Sequence, residues 1–235
     1  MFHRRFLHRC LLAGSAAGLS LSLHAQPAGL LYDPEPPADS AYVRVLVAGN
    51  AEKVALTVDG KVRVASLPAN QVSDYMVLTA GKHVLGLQMA GKTKETGTMT
   101  LDVVPGRATT LGFSAAQLSA APAVFEDKTG ANKLKAMLAV YPLVKTPASM
   151  DILTADGTTK VFSNVSYGAI HALPVNPITV DVIAVKAGDK SALARASLDM
   201  KQSSSYSVFL LPDHGGKIMM KVFQNKTERY TGKSF

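Results

Sequence analysis

From Ala41 onward the chain puts β-branched residues at every second position, and few architectures accept that spacing. Val43, Val45 and Val47 alternate with Tyr42, Arg44 and Leu46. Successive side chains of a strand point to opposite faces, so a period of two predicts strand and argues against helix. Val54, Leu56 and Val58 continue the pattern to Asp59-Gly60, and Val62 and Val64 resume it beyond. Two valine-rich runs joined by Asp-Gly predict a tight hairpin, because glycine accepts the positive φ of a two-residue turn. Further strands are expected near Tyr75–Leu78, Lys82–Met89, Met99–Val104 and Ala108–Phe113. Short strands between turn residues predict a β-sandwich.

The pattern lapses over residues 114–133, which are rich in Ala, Ser and charge, and restarts with Leu134, Ala136, Leu138 and Val140. Met150 and Ile152 lead to a turn at Asp156-Gly157; strands are expected around Val161, at Ile178, Val180 and Val182, at Ser205 to Leu211 and at Lys217 to Phe223. The restart is also a repeat. Asp59-Gly60, Ala90-Gly91 and Leu101-Asp102 recur as Asp156-Gly157, Ala187-Gly188 and Leu198-Asp199, each at an offset of 97 residues. One offset shared by three dipeptides points to two copies of one sandwich, although each dipeptide alone is common. The expected fold class is therefore all-β: two tandem β-sandwich domains joined by a linker, after a cleaved signal peptide. The boundaries read as signal peptide 1–25, Pro-rich leader 26–40, N-terminal β-sandwich 41–113, linker 114–133 and C-terminal β-sandwich 134–235.

Residues 1–25 carry the marks of an export signal: Arg4, Arg5 and Arg9, then an apolar stretch from about Leu11 to Leu23 that is too short to span a bilayer. The expected location is the periplasm, with no membrane span after signal removal. Removing those arginines leaves 22 basic against 17 acidic residues, so the formal charge falls from +8 to +5. The lysines are spread along the chain and are not interleaved with aromatics on one stripe, so no nucleic-acid partner is expected. The single cysteine, Cys10, lies in the signal, which leaves no disulfide, thiol nucleophile or thiolate metal site. With 47% hydrophobic and 18% charged residues the chain has a core to bury, unlike a disordered tail.

No pattern for bond chemistry emerges. His83, His171 and His214 are the histidines beyond the signal, and none has a carboxylate at a useful local spacing except His214, which follows Asp213 in a Gly-Gly turn. Neighbours in a turn rarely form a working acid–base pair. The Gly-x-Ser-x-Gly elbow, phosphate-binding glycine loops and dinucleotide fingerprints are absent, and Ser203-Ser204-Ser205 reads as turn chemistry. Neither a cofactor nor a metal site is expected. A triad assembled from distant residues would leave no such trace. The chain has no Trp, which disfavours a module that stacks sugars on exposed rings.

The start of the exported chain is the most distinctive part. Leu31-Tyr32-Asp33-Pro34-Glu35-Pro36-Pro37 and then Ser40-Ala41-Tyr42-Val43-Arg44-Val45 resemble the opening of the alginate biosynthesis protein AlgF family, a Leu-Tyr-x-Pro leader followed by a Ser-Ala-aromatic-Val-Arg-Val strand. The resemblance continues more loosely through both β-domains. It implies a periplasmic two-sandwich protein that takes part in acetylating an exopolysaccharide during export. It also implies two protein partners, a membrane-bound O-acyltransferase and a periplasmic SGNH-type O-acetyltransferase, which the family bridges, and it carries no catalytic residues. The polymer is alginate or an acetylated cellulose, and the exopolysaccharide is itself a candidate partner. Tyr32 and Arg44 are the candidate partner contacts: Tyr32 beside prolines, Arg44 because its fork suits carboxylates. The plainer reading of Arg44 is a residue on a solvated sheet face. Two other functions stay open: an acetyl carrier or esterase with a site assembled across domains, and a chaperone-like periplasmic β-sandwich that binds through an exposed strand edge.

Overall fold

The computed structural model describes residues 35–89, 92, 96–213 and 215–231. The signal segment, most of the leader including Tyr32, the Ala90-Gly91 dipeptide and His214 lie outside the described residues. All secondary structure described is β. The first half contributes β1 (Ala41–Ala48), β2 (Val54–Val58), β3 (Lys61–Leu67), β4 (Met76–Leu78), β5 (Gly81–Met89), β6 (Gly97–Val103), β7 (Ala108–Ser114) and β8 (Ala123–Glu126). The second contributes β9 (Ala136–Pro142), β10 (Met150–Thr154), β11 (Lys160–Val165), β12 (His171–Val175), β13 (Ile178–Lys186), β14 (Ala192–Met200), β15 (Ser205–Pro212) and β16 (Ile218–Gln224).

The sheet orders repeat with the chain. One half forms β4-β1-β7-β8 and β3-β2-β5-β6; the other forms β12-β9-β15-β16 and β11-β10-β13-β14. Each strand of the second half occupies the place of the strand eight earlier, down to the one parallel pairing per half, β1 with β7 and β9 with β15. The fold is therefore two tandem β-sandwiches of one topology. The Asp59-Gly60 hairpin forms as its sequence predicts: both residues have positive φ, 51° and 76°, and Val58 pairs with Lys61 across the turn.

Each sandwich buries its own core. Val43, Val45 and Val47 of β1 pack on Val54, Leu56, Leu85 and Leu87 of the opposing sheet. Leu138 and Val140 of β9 pack in the same way on Met150, Ile152, Val182 and Leu198. The other faces of β1 and β9 are also largely covered, with only Tyr42 and Met137 part-exposed. Leu46, Ala48, Ala123 and Phe125 form a third apolar cluster with Ala139, Tyr141, Leu143, Phe209 and Leu211, which joins the two sandwiches. The molecule thus stacks four sheets, and its two inner sheets are covered on both faces. Within residues 114–133, β8 pairs antiparallel with β7 and sends Phe125 into the joint. Gly112 makes the close approach possible: a Cβ there would lie 2.5 Å from Leu143 Cδ2.

Candidate functional site

The joint between the sandwiches holds a buried polar network, and Arg44 is its centre. β1 runs parallel to β7 with Arg44 opposite Thr110, so the arginine emerges on the face away from its own core. It is 1% exposed. Nε donates to Thr110 Oγ1 at 2.8 Å, Nη1 to Asn225 Oδ1 at 2.9 Å and Nη2 to Ser207 Oγ at 2.7 Å. The guanidinium lies 4.4 Å from the ring centroid of Tyr75 and 5.2 Å from that of Tyr141, within the range of cation–π attraction. The reading of Arg44 as a residue on a solvated face is corrected: that face is the seam of the molecule, and the fork is engaged by partners within the chain.

Asp127 supplies the opposite charge. Its Oδ2 accepts from Thr110 Oγ1 and from Tyr75 OH, both at 2.7 Å, and its Oδ1 accepts from Tyr141 OH at 2.8 Å. The protons balance. Thr110 accepts from Arg44 and donates to Asp127; Ser207 accepts from Arg44 and donates to Asn225 Oδ1 at 2.7 Å. Burial, reinforced by the Asp127 carboxylate and opposed by Arg44, raises the phenols of Tyr75 and Tyr141 above their ordinary value, so both stay neutral donors. A buried cation and a buried anion are tolerated because hydroxyls link them and most of their polar atoms are bonded.

The network follows the repeat. Thr110 with Asp127 occupies in the first sandwich the place of Ser207 with Asn225 in the second: a hydroxyl on the seventh strand bonded to the residue just after the eighth. Of these residues the sequence singled out Arg44 alone. The available signal was a hydroxyl residue at the same place in two strands, Thr110 and Ser207, at the repeat offset.

Beyond β16 the chain crosses to the first sandwich as a strap. Tyr75 N donates to Lys226 O and Glu228 N donates to Tyr75 O, at 2.8 and 2.9 Å. The Glu228 carboxylate pairs with Arg63 and accepts from Val77 N. Between the strap, the Ser203–Ser205 turn and the segment after β8 lies a cleft of about 850 Å³. Its wall includes Tyr42, Lys128, Lys133, Thr227 and Arg229.

The histidines are arranged otherwise. His83 Nδ1 lies 2.6 Å from Asp59 Oδ2 and Nε2 lies 2.8 Å from the Thr79 carbonyl. Both neighbours are acceptors, so the geometry favours the protonated ring. Burial alone would lower its pKa, but the Asp59 carboxylate and the Thr79 carbonyl outweigh it and the value is raised. Asp59 is lowered by the Val84 N–H and by His83. His171 meets the edge of Phe162. No serine hydroxyl is hydrogen-bonded to a histidine among the described residues.

A family model described as "Alginate O-acetyl transferase AlgF" matches residues 16–203. Comparison with curated proteins finds no match. Among solved structures, the C-terminal domain of AlgF from P. aeruginosa is 22% identical over 40% of this chain and 100% of that one, with a TM-score of 0.33. The module CBMbc (family CBM26) from Eubacterium rectale Amy13K, solved with maltoheptaose, is 11% identical over 81% of this chain and 99% of that one, TM-score 0.28. A streptococcal virulence factor whose structure describes alpha-glucan binding is 13% identical over 79% and 97%, TM-score 0.28. Likenesses at these scores carry no inference about fold or ligand.

Proposed function

The chain belongs to the AlgF family of alginate O-acetylation proteins, and from that membership we propose that it is a periplasmic accessory protein which bridges a membrane-bound O-acyltransferase and an SGNH-type acetyltransferase. The family match over residues 16–203 carries this reading. The geometry supports it: an Arg44-centred seam locks two similar sandwiches into one body, as a spacer between two partners requires. Arg44 acts in this reading by holding the sandwiches in register. Tyr32, in the leader, is the candidate for direct partner contact. The polymer acted on is alginate.

Deletion of the gene followed by measurement of polymer yield and ester content tests the proposal. Loss of ester with polymer of normal yield supports the accessory role; unchanged ester overturns it. Purified chain that released acetate from an acetyl ester at an enzymatic rate would favour the carrier or esterase reading instead.

A further inference from the structure

The cleft beside the seam has donors to offer and acids already engaged. Asp127 is bonded by three hydroxyls, and Glu228 by Arg63 and the Val77 N–H. Lys133 has no ion-pair partner and Tyr42 OH no hydrogen bond among the described residues; Lys128 reaches Glu126 only at 3.9 Å and both are exposed. The wall is therefore complementary to carboxylates. A second feature is in the main chain. The strap pairs with Tyr75 in the parallel sense at Thr227, through Lys226 O and Glu228 N. In such pairing the N–H and C=O of the central residue point to the opposite side. Thr227 lines the cleft, and its main-chain N–H and C=O have no partner among the described residues. The strap thus offers one outward main-chain N–H and C=O, at a single bridge residue, flanked by cations.

We propose that this cleft docks an extended acidic polypeptide segment of a partner protein, which adds as a strand along the strap at Thr227 while its carboxylates meet Lys128 and Lys133. The inference rests on the docking role proposed above and names the surface that performs it. A strand edge recognises peptide groups, which a polysaccharide lacks. Of the three tyrosines in the wall, Tyr75 is already covered by Arg44 and offers no face for a sugar. The excess of basic residues along the chain would steer an acidic partner toward it.

The test titrates poly-L-glutamate, and separately oligomannuronate, into the exported chain and reads affinity by calorimetry. Lys128→Glu with Lys133→Glu should weaken poly-L-glutamate binding at least about tenfold, while Lys186→Glu, on β13, should not. Thr227→Pro removes one outward N–H that no bond among the described residues uses; it should weaken the peptide about tenfold, the scale of one hydrogen bond. No saturable binding of poly-L-glutamate overturns the inference. So does binding that Thr227→Pro leaves unchanged, or tighter binding of oligomannuronate with the same lysine dependence. The lysine variant is also returned to a deletion strain. Normal ester content there, where deletion abolishes ester, defeats this docking site and leaves the accessory role standing. Unchanged ester in the deletion strain itself defeats the accessory role.

Discussion

The two sandwiches share one strand order and differ most where they meet. Matched by strand pairing, Arg44 and Leu46 of β1 stand where β9 has Ala139 and Tyr141; Thr110 and Gly112 of β7 stand where β15 has Ser207 and Phe209. Large residues in one copy face small ones in the other. Gly112 of the first copy receives Leu143 of the second, while within the second copy Phe209 stacks on Tyr141 at 4.7 Å. The charges are divided in the same way. The first copy carries both the arginine and the carboxylate, and the second contributes the neutral pair Ser207 and Asn225. Divergence at matched positions turns a repeated fold into one body. The free edges differ too. β16 lies beside β14, whereas β8 is shorter, and Leu118 from the loop before it fills the first core instead.

The largest effect expected from breaking this asymmetry is at Arg44. Arg44→Met keeps a long side chain but strands Asp127 as an uncompensated buried anion and removes the donors to Thr110, Ser207 and Asn225. A loss of about 3–5 kcal/mol is expected in urea denaturation. Adding Asp127→Asn should recover part of it, since no buried charge then remains. A loss below about 1 kcal/mol would mean that the seam does not depend on its buried arginine.

Gly112→Ala comes next. The new Cβ would lie 2.5 Å from Leu143 Cδ2, so the leucine must turn away or the sheets must part. The expected cost is about 1–3 kcal/mol. Leu143→Ala vacates the contact, so the double variant should be less destabilised than the sum of the singles. Strict additivity would show that the two residues do not press on each other.

The strands were legible because a period of two leaves little choice of element, and the repeat was legible because three dipeptides kept one spacing. The seam was not. Arg44, between valines, fits equally a solvated face and a face covered by another sheet; which one holds depends on Ala139, Gly112 and Leu143, far away in the chain. β8 escaped notice because it is four residues long within an Ala- and Ser-rich stretch. β12 carries Pro174, which an edge strand accepts and an interior strand does not. Asp127 looked like linker charge, since its partners Tyr75, Thr110 and Tyr141 lie on three other segments.

A smaller effect distinguishes the copies by pH. The His83–Asp59 pair lies in the first sandwich, and Val180 stands at the repeat offset in the second. The imidazolium, raised in the folded state, contributes fully below its unfolded value of 6.5, and its contribution is lost as pH rises through the folded value. Asp59, lowered in the folded state, contributes above its unfolded value of 3.8 and loses its contribution as pH falls through the folded value. The pair is therefore most stabilising between 3.8 and 6.5. Because Asp59 is open to water, the contribution should stay under about 1 kcal/mol. The gap in denaturation midpoint between the parent chain and His83→Gln should shrink from about pH 6 to about pH 9. A constant gap would show that the ring is not charged at the lower pH.

The smallest effect is at the twin Asp-Gly turns, which look alike and are held differently. Asp59 reaches out of its turn: Oδ1 accepts from Val84 N at 2.8 Å and Oδ2 meets His83, so the hairpin is tied to β5. Asp156 bonds only within its own loop, to Thr154 Oγ1, Thr158 N and Thr158 Oγ1. That carboxylate is fully exposed, and water can replace each bond. Substitution by Ala should therefore lower the midpoint measurably at Asp59 and leave it nearly unmoved at Asp156. Equal shifts would mean that the dipeptide acts through its backbone turn alone, and that the tie to β5 adds nothing to the first sandwich.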